Sequence, residues 1–346
     1  MTGIDAERLQ AFIRQQLPEA RELALSELRK LGSGGLSREH YSFDLSWRDG
    51  SGEERGLALI LIRSGERPGQ TDRGQEYRLM RALAGSALPV PKAYWCDESG
   101  DWFSRPFIVM QRVGGAVTPP FQVAYPESPA LRQQLASEFI DVLADLHRLD
   151  WRALGLEELG VPAGEPADYA RGALLLLEES LASSGTEAQS PVIPSALAWL
   201  RAHTPRSQRL SLCHGDYKPD NVLHEEGRIL AIVDWERAHI ADPMLDLAYV
   251  CVPHLLVGEL AQGLAPAAEL VERYAARTGF EVEPTTLAFW KLHLLLQTLF
   301  YFHCLGIAAR SANPDAPSPF QGLVDHLLRL TEQEVTAPPA EPGASR

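Results

Sequence analysis

The chain has few of the groups that build disulfide, zinc or redox sites. Its 346 residues include four cysteines, Cys96, Cys213, Cys251 and Cys304, and no two of them are close in sequence. Zinc sites and thiol-redox motifs usually place their cysteines in Cys-x-x-Cys pairs. The sequence therefore predicts neither kind of site, and it favours the reduced thiols of a cytoplasmic protein.

An excess of positive charge is also missing. The chain has 32 Lys and Arg against 46 Asp and Glu, which gives a formal net charge of −14 at pH 7. A general nucleic-acid binder needs a basic face that displaces counterions from phosphates, so we expect no nucleic-acid partner. A nucleotide ligand is not excluded, because a few arginines and backbone N–H groups can bind phosphate locally.

Long uninterrupted apolar runs are missing as well. The first twenty residues lack the basic-then-apolar pattern of a secretion signal. The most apolar long segment, 287–309, contains Lys291, His293 and His303, which favours a buried helix over a membrane span. We therefore expect a cytoplasmic protein without a membrane partner.

Alternation of apolar and polar residues is present in the first third of the chain. The run from Tyr41 to Trp47 alternates, and Asp-Gly-Ser-Gly at 49–52 is a strong hairpin turn. Further strand-like runs follow at 57–63 and on the far side of a predicted helix over 70–84. Residues 1–112 therefore predict an N-terminal lobe with a five-stranded antiparallel sheet and a helix, preceded by a short N-terminal helix.

Helical periodicity dominates after Gly114-Gly115, which is a plausible boundary between lobes. Residues 113–334 predict a mainly helical C-terminal lobe, so the whole chain predicts an α+β fold of two lobes. The last residues, 335–346, are rich in Pro, Ala and Gly, which predicts a disordered tail.

The groups best suited to chemistry lie in two neighbouring segments, Leu-Cys-His-Gly-Asp-Tyr-Lys-Pro-Asp-Asn at 212–221 and Ala-Ile-Val-Asp-Trp-Glu at 231–236. Asp216 follows a short apolar strand, which would hold its carboxylate rigidly. Asn221 is five positions on, and a predicted hairpin returns Asp234 to the same end of the unit.

This arrangement matches the needs of phosphoryl transfer. Asp216 can orient a hydroxyl for attack, while the oxygens of Asn221 and Asp234 are hard ligands suited to Mg²⁺ beside a nucleoside triphosphate. Lys218 can approach the transferring group and offset its charge. A lone His-Gly-Asp often only shapes a turn, so it is the combination of both segments that favours a catalytic site.

The two segments closely resemble the catalytic and metal loops of the aminoglycoside phosphotransferase-like kinases, which share the protein-kinase fold. The resemblance covers most of residues 25–330 and is greatest to the subgroup that includes kinase-like domains fused to some acyl-CoA dehydrogenases. Further matching segments lie at 78–85, 89–92, 105–110, 146–151 and 241–248.

The resemblance implies a protein-kinase-like fold, ATP and Mg²⁺ as cofactors, and transfer of the γ-phosphate to a hydroxyl of a small molecule. It assigns the catalytic role to Asp216 and the metal-ligand role to Asn221 and Asp234. Downstream, it implies that an aspartate such as Asp242 or Asp246 braces the catalytic loop.

The N-terminal site residues are placed by position in the same family. Gly34, Gly35 and Ser37 would cover the nucleotide phosphates, although an ordinary glycine-rich turn gives the same pattern. Arg63 stands where kinases carry a lysine that holds the α- and β-phosphates, and its planar fork binds phosphate with a different geometry. Glu76, in the following helix, is the expected ion-pair partner of Arg63.

The backbone from Gln111 to Val113 would form the hinge beside the adenine. The identity of the acceptor stays open. The subgroup resemblance favours a hydroxyacyl-CoA-like metabolite, while the negative net charge also permits an aminoglycoside or another antibiotic.

A nucleotide-binding protein without catalysis is a further alternative. A protein kinase is disfavoured, because the sequence has neither Asp-Phe-Gly nor Ala-Pro-Glu. The preference for ATP over GTP, and for a monomer over a homodimer, is also open.

Overall fold

The fold consists of an antiparallel sheet followed by a mainly helical region, in agreement with the predicted α+β class. The structure is a computed structural model. It describes residues 4–31, 38–65, 72–115, 128–162, 164–252, 256–257, 259–312 and 321–336.

The N-terminal sheet is antiparallel and five positions wide. Its strand order is β1-β3-β4-β6-β5, and the short β2 pairs with β3 on the same edge as β1. The predicted five-stranded sheet is thus confirmed in width, with one edge position divided between two short segments. The strands are β1 (Arg21–Leu25), β2 (Arg29–Lys30), β3 (Arg38–Arg48), β4 (Glu54–Ser64), β5 (Ala93–Asp97) and β6 (Phe107–Gln111).

Helices cover both faces of this sheet. Successive side chains of a strand point to opposite faces. Leu61 of β4 packs in one buried cluster with Phe12 of α1 (Ala6–Gln16). Its neighbour Ile62 belongs to the main core together with Met80 of α2 (Arg73–Leu83). The sheet therefore separates a small N-terminal core from a larger core that is continuous with the helical lobe.

The C-terminal lobe is built around buried helices. Its longest helix carries the apolar segment that the sequence assigned to a buried helix, and Trp290, Leu295 and Leu299 in it are fully buried. No helix in the described ranges is both long and apolar enough to cross a membrane. The helices are α3 (Pro129–Arg148), α4 (Tyr169–Ser183), α5 (Val192–Ala202), α6 (Met244–Val250), α7 (Ala267–Thr278), α8 (Pro284–Ala312) and α9 (Gln321–Thr336).

The apolar pattern from Asp246 to Val257 predicts a helix over that range, but α6 ends at Val250. Pro253 explains the early end, because a proline disfavours helical backbone in the residue before it. Helix α9 continues to Thr336, two residues into the segment predicted to be disordered, and the rest of that segment lies outside the described residues.

Short strands between α5 and α6 position the predicted catalytic segments. The hairpin of β8 and β9 turns at Glu226-Gly227, as predicted, and β7 pairs with β10. A small three-stranded sheet follows α6. These strands are β7 (Ser211–Cys213), β8 (Val222–Glu225), β9 (Arg228–Ile232), β10 (His239–Ala241), β11 (Leu256–Val257), β12 (Leu260–Ala261) and β13 (Ala265–Pro266).

Candidate active site

The predicted catalytic segment begins at the end of the buried strand β7. Leu212 and Cys213 are fully buried, so the strand fixes the start of the loop that follows. Gly215 adopts a φ of +78°, and a Cβ atom there would lie 2.4 Å from the carbonyl oxygen of Arg237. Only glycine fits this turn, which directs the next residue, Asp216, out of the strand.

A buried carboxylate on α6 holds this loop from behind. Asp246 accepts hydrogen bonds from the backbone N–H groups of His214 (2.6 Å) and Gly215 (2.9 Å). The side chain of His147 lies 3.3 Å from the same carboxylate. Burial raises the pKa of Asp246, but the hydrogen bonds and charges of His147 and His214 outweigh it and lower the pKa below its ordinary value. Asp246 is therefore an anionic brace, the role that the resemblance implies.

The group of His147, Cys213 and Asp246 has the composition of a metal site, since its ligand atoms lie within 4.8 Å of one another. The thiol of Cys213 instead donates a hydrogen bond to the carbonyl of Asp242 (3.6 Å). Burial raises the thiol pKa well above its ordinary value, which keeps it protonated and a poor ligand. The group therefore supports the loop and does not suit a cation.

Asp216 is buried and has hydrogen-bond partners on both carboxylate oxygens. Oδ1 accepts from the hydroxyl of Tyr249 (2.7 Å). Oδ2 accepts from the amide of Asn221 (3.0 Å) and lies 3.0 Å from Nζ of Lys218. Burial raises the pKa of Asp216, but Lys218 and Tyr249 outweigh it and lower the pKa below its ordinary value. The carboxylate is therefore ionised at neutral pH.

The two predicted metal ligands lie on neighbouring segments. The backbone N–H of Val233 donates to the carbonyl of Asn221 (2.9 Å), which joins the end of β9 to the catalytic loop. Asn221 also donates its amide to the carbonyl of Asp216 (2.8 Å). Both amide hydrogen bonds engage its nitrogen, so its side-chain oxygen is available as an acceptor. Asp234 follows Val233 with a φ of +70°, the start of the short turn that carries Glu236.

Arg38, which the sequence analysis did not identify, provides the partner of Asp234. Its side chain is 6% exposed, forms an ion pair with Asp234, and lies 2.5 Å from a carboxylate oxygen of Glu236. These carboxylates outweigh the effect of burial and raise the pKa of Arg38 above its ordinary value. The guanidinium of Arg38 thus contacts the carboxylate of Asp234, which was predicted to bind Mg²⁺.

The structure gives Arg63 and Glu76 other partners than each other. Arg63 pairs with Glu39, the residue directly opposite it in the ladder of β3 and β4. Glu76 pairs with Arg73, which lies one turn away in α2. The expected Arg63–Glu76 contact is therefore corrected: each residue pairs with its nearest opposite charge, across one ladder or along one helix.

Glu39, near the start of β3, forms ion pairs with several cations. Besides Arg63, it contacts Lys30 and Arg105, each at 2.8 Å. Burial raises the pKa of Glu39, but these cations outweigh it and lower the pKa to about 2. The position of Arg63 near the nucleotide phosphates stays a prediction.

The remaining N-terminal site residues are only partly located. Gln111 ends β6 and its backbone N–H bonds to the carbonyl of Lys92 (2.8 Å), and Val113 follows two residues later. Their role as an adenine hinge stays a prediction. The predicted phosphate-covering residues Gly34, Gly35 and Ser37 lie outside the described residues.

A sequence model of the phosphotransferase enzyme family matches residues 39–290, which include Asp216, Lys218, Asn221 and Asp234. The chain belongs to this family. Its fold also resembles that of solved family structures. A putative aminoglycoside phosphotransferase from Ralstonia eutropha JMP134 superposes with a TM-score of 0.72 at 25% identity, covering 96% of this chain and 97% of that one.

A second solved structure shows the same fold at lower identity. It is a mutant of the aminoglycoside phosphotransferase APH(4)-Ia in a complex with ADP and hygromycin B, with a TM-score of 0.60 at 18% identity. The superposition covers 93% of this chain and 98% of that one. The predicted two-lobed, protein-kinase-like fold is confirmed by these phosphotransferase structures.

Curated relatives of this family member include parts of larger proteins. Acyl-CoA dehydrogenase family member 11 of Rattus norvegicus is 26% identical over 79% of this chain, which spans 37% of that protein. Member 10 of Mus musculus is 29% identical over 53% of this chain, which spans 17% of that protein. Viomycin phosphotransferase of Streptomyces vinaceus is 29% identical over 53% of this chain and 61% of its own length.

Replacing Asp246 tests how much its hydrogen bonds to the loop contribute to the stability of the protein. Asp246→Asn loses the anionic acceptor and sets an amide N–H against two backbone donors. We expect a loss of about 3 kcal/mol in the free energy of unfolding at pH 7, measured by urea denaturation. Asp145→Asn is the control, because its ion pair with Arg277 is partly exposed and should contribute only about 0.5 kcal/mol.

The difference in the free energy of unfolding between wild type and Asp246→Asn should depend on pH, because the pKa of Asp246 is lowered. Its contribution to stability is fully present above the unfolded-state pKa of about 3.9 and is lost as the pH falls through the lower folded-state value. The difference between wild type and Asp246→Asn should stay constant from pH 7 to about pH 4 and shrink below that. A difference that already shrinks between pH 7 and pH 5 would contradict an ionised brace.

Proposed function

We propose that the protein transfers the γ-phosphoryl group of MgATP to a hydroxyl of a small molecule in the cytoplasm. The observation that carries the proposal is Asp216, a buried ionised carboxylate on a rigid loop beside Asn221 and Asp234. The solved relative with ADP and hygromycin B supports a nucleotide and a hydroxyl-bearing small molecule as ligands of this fold.

Asp216 would act on the acceptor directly. It accepts a hydrogen bond from the hydroxyl and takes its proton as the new oxygen–phosphorus bond forms. The bond between the γ-phosphorus and its bridging oxygen breaks, and ADP leaves with the electron pair. Lys218, whose pKa is raised by Asp216 and Asp220 despite its burial, stays cationic beside this centre and offsets negative charge.

The residues present suit a magnesium ion. Asn221 offers its amide oxygen, and Asp234 already attracts a cation in the form of Arg38. When bound, Mg²⁺ would neutralise charge on the nucleotide phosphates. Complexes of related phosphotransferases with ADP and AMP-PNP support ATP. A complex with GDP keeps GTP as an alternative.

The positive charge of Arg237, near Asp216, favours an anionic acceptor. Arg237 is exposed, and its charge helps to lower the pKa of Asp216, so it lies close to the reacting groups. Among the described residues, its guanidinium has no ion-pair partner. A hydroxyacyl-CoA-like metabolite carries phosphates that such a cation attracts, in keeping with the similarity to acyl-CoA dehydrogenase family members. The alternative of an aminoglycoside or another antibiotic is supported by the phosphotransferases that are solved with hygromycin B and by viomycin phosphotransferase. An aminoglycoside is a polycation, which Arg237 would repel.

Asp216→Asn tests the proposed catalysis. We expect the rate of ATP-dependent phosphoryl transfer to fall by about 10³-fold, because the amide cannot accept the proton. MgATP affinity, measured by calorimetry, should stay within about threefold, since the nucleotide is held by other groups.

Asp141→Asn is the matched control, because Asp141 pairs with Arg273 on the surface of α3 and should leave both quantities unchanged. Full activity in Asp216→Asn would overturn the assignment of Asp216. A wild-type protein that binds MgATP without any turnover would instead support a non-catalytic nucleotide-binding protein.

Arg38→Gln tests whether Asp234 is a cation ligand. Removing the competing guanidinium should raise the affinity for Mn²⁺, measured by electron paramagnetic resonance without nucleotide, by about tenfold, or ~1.4 kcal/mol. Arg105→Gln is the control, because Arg105 pairs with Glu39 and not with Asp234. Equal Mn²⁺ affinities in wild type and Arg38→Gln would argue against Asp234 as a metal ligand.

A screen of ATP consumption tests the acceptor class. We expect a response to hydroxyacyl-CoAs, and none to aminoglycosides, macrolides, choline or sugars.

Arg237→Gln should raise the KM for the anionic acceptor about tenfold, through loss of a charge-assisted contact. Arg228→Gln, in the exposed β8–β9 hairpin, should leave the KM unchanged. A response to aminoglycosides alone would refute the anionic acceptor.

A further inference from the structure

The hydrogen bond between Tyr249 and Asp216 occupies the oxygen that an acceptor needs. Oδ2 of Asp216 is bonded to Asn221 and Lys218, which are parts of the catalytic loop itself. Oδ1 has a neutral hydroxyl, that of Tyr249, as its partner at 2.7 Å. This is the ordinary length of an O–H···O hydrogen bond, and an acceptor alcohol would form a bond of the same kind. The phenol hydroxyl of Tyr249 thus lies at the position on Oδ1 where an acceptor hydroxyl would bind.

Tyr249 is held in this place by the same helix that braces the loop. It lies three residues after Asp246 in α6, so the two side chains share one side of that helix. Gln262, just after β12, donates its amide to the backbone carbonyl of Tyr249 (3.2 Å). Tyr249 as a whole is partly exposed, so the residue lies between the buried loop and solvent. A residue with these contacts can control which molecule reaches Oδ1.

We propose that Tyr249 is a positioning residue that holds Oδ1 of Asp216 until the acceptor hydroxyl replaces it, and that it thereby keeps water from attacking ATP. The inference rests on the proposed phosphotransferase function. Without Tyr249, a water molecule would take its place on Oδ1, where the carboxylate would accept its proton as the water attacks the γ-phosphorus. The products of that reaction are ADP and inorganic phosphate.

Tyr249→Phe is the test, because it removes the hydroxyl and keeps the ring. We expect hydrolysis of MgATP without acceptor to rise about tenfold, the effect of one lost hydrogen bond. MgATP affinity, measured by calorimetry, should be unchanged, which a general distortion of the site would not allow. In H₂¹⁸O, the label should appear in the released phosphate.

Tyr77→Phe is the matched control. It removes a hydroxyl that donates to the backbone carbonyl of Tyr94 in the N-terminal lobe, so acceptor-free hydrolysis should stay at the wild-type rate. Tyr249→Leu, which also removes the ring, should hydrolyse ATP at least as fast as Tyr249→Phe. This second variant keeps the test decisive if one substitution impairs folding.

Two results would overturn the role of Tyr249. One is acceptor-free hydrolysis that is unchanged or slower in Tyr249→Phe while MgATP affinity is retained. The other is phosphate found by mass spectrometry on Tyr249 of the wild type, because the residue would then be an acceptor itself. Failure of the proposed function looks different: the wild type would neither bind MgATP nor show background hydrolysis that Asp216→Asn abolishes.

Discussion

The site depends on one buried carboxylate, that of Asp246. It accepts hydrogen bonds from two consecutive backbone N–H groups, those of His214 and Gly215, and so fixes the turn from which Asp216 projects. One of these donors is buried and the other is partly buried, and both need such an acceptor, since an unpaired polar group inside a protein is costly. The position of Asp216, the proposed catalytic residue, is therefore set by the packing of α6 behind the loop.

Side chains of the protein itself pair with the carboxylates of the site. Arg38 pairs with Asp234, and Tyr249 bonds to Asp216. Both arrangements follow from the cost of leaving a partly buried carboxylate without a partner. In the proposed function, each of these partners lies where a ligand would bring a similar group, a cation at Asp234 and a hydroxyl at Asp216.

Much of the fold and part of the site could be predicted from the sequence. The turn at 49–52 and the hairpin around Glu226-Gly227 follow from local signals, which are strong where turn residues and periodicity agree. The end of α6 was missed, because its apolar pattern continues beyond Val250. The partners of Arg63 and Glu76 were also missed. The resemblance to the family suggested that these two residues pair with each other. Instead, Arg63 pairs with the residue opposite it in the β-ladder, and Glu76 pairs with a residue one turn away in its helix.

The sequence by itself determined which groups are proposed to react and to bind the metal, since Asp216, Asn221 and Asp234 lie within one short strand–loop–hairpin unit. The tertiary structure alone decided their partners. Arg38 is 196 residues from Asp234, and Tyr249 is 33 residues from Asp216. Contacts over such separations depend on how the sheet and α6 pack against the loop, and no local periodicity or turn signal encodes that packing.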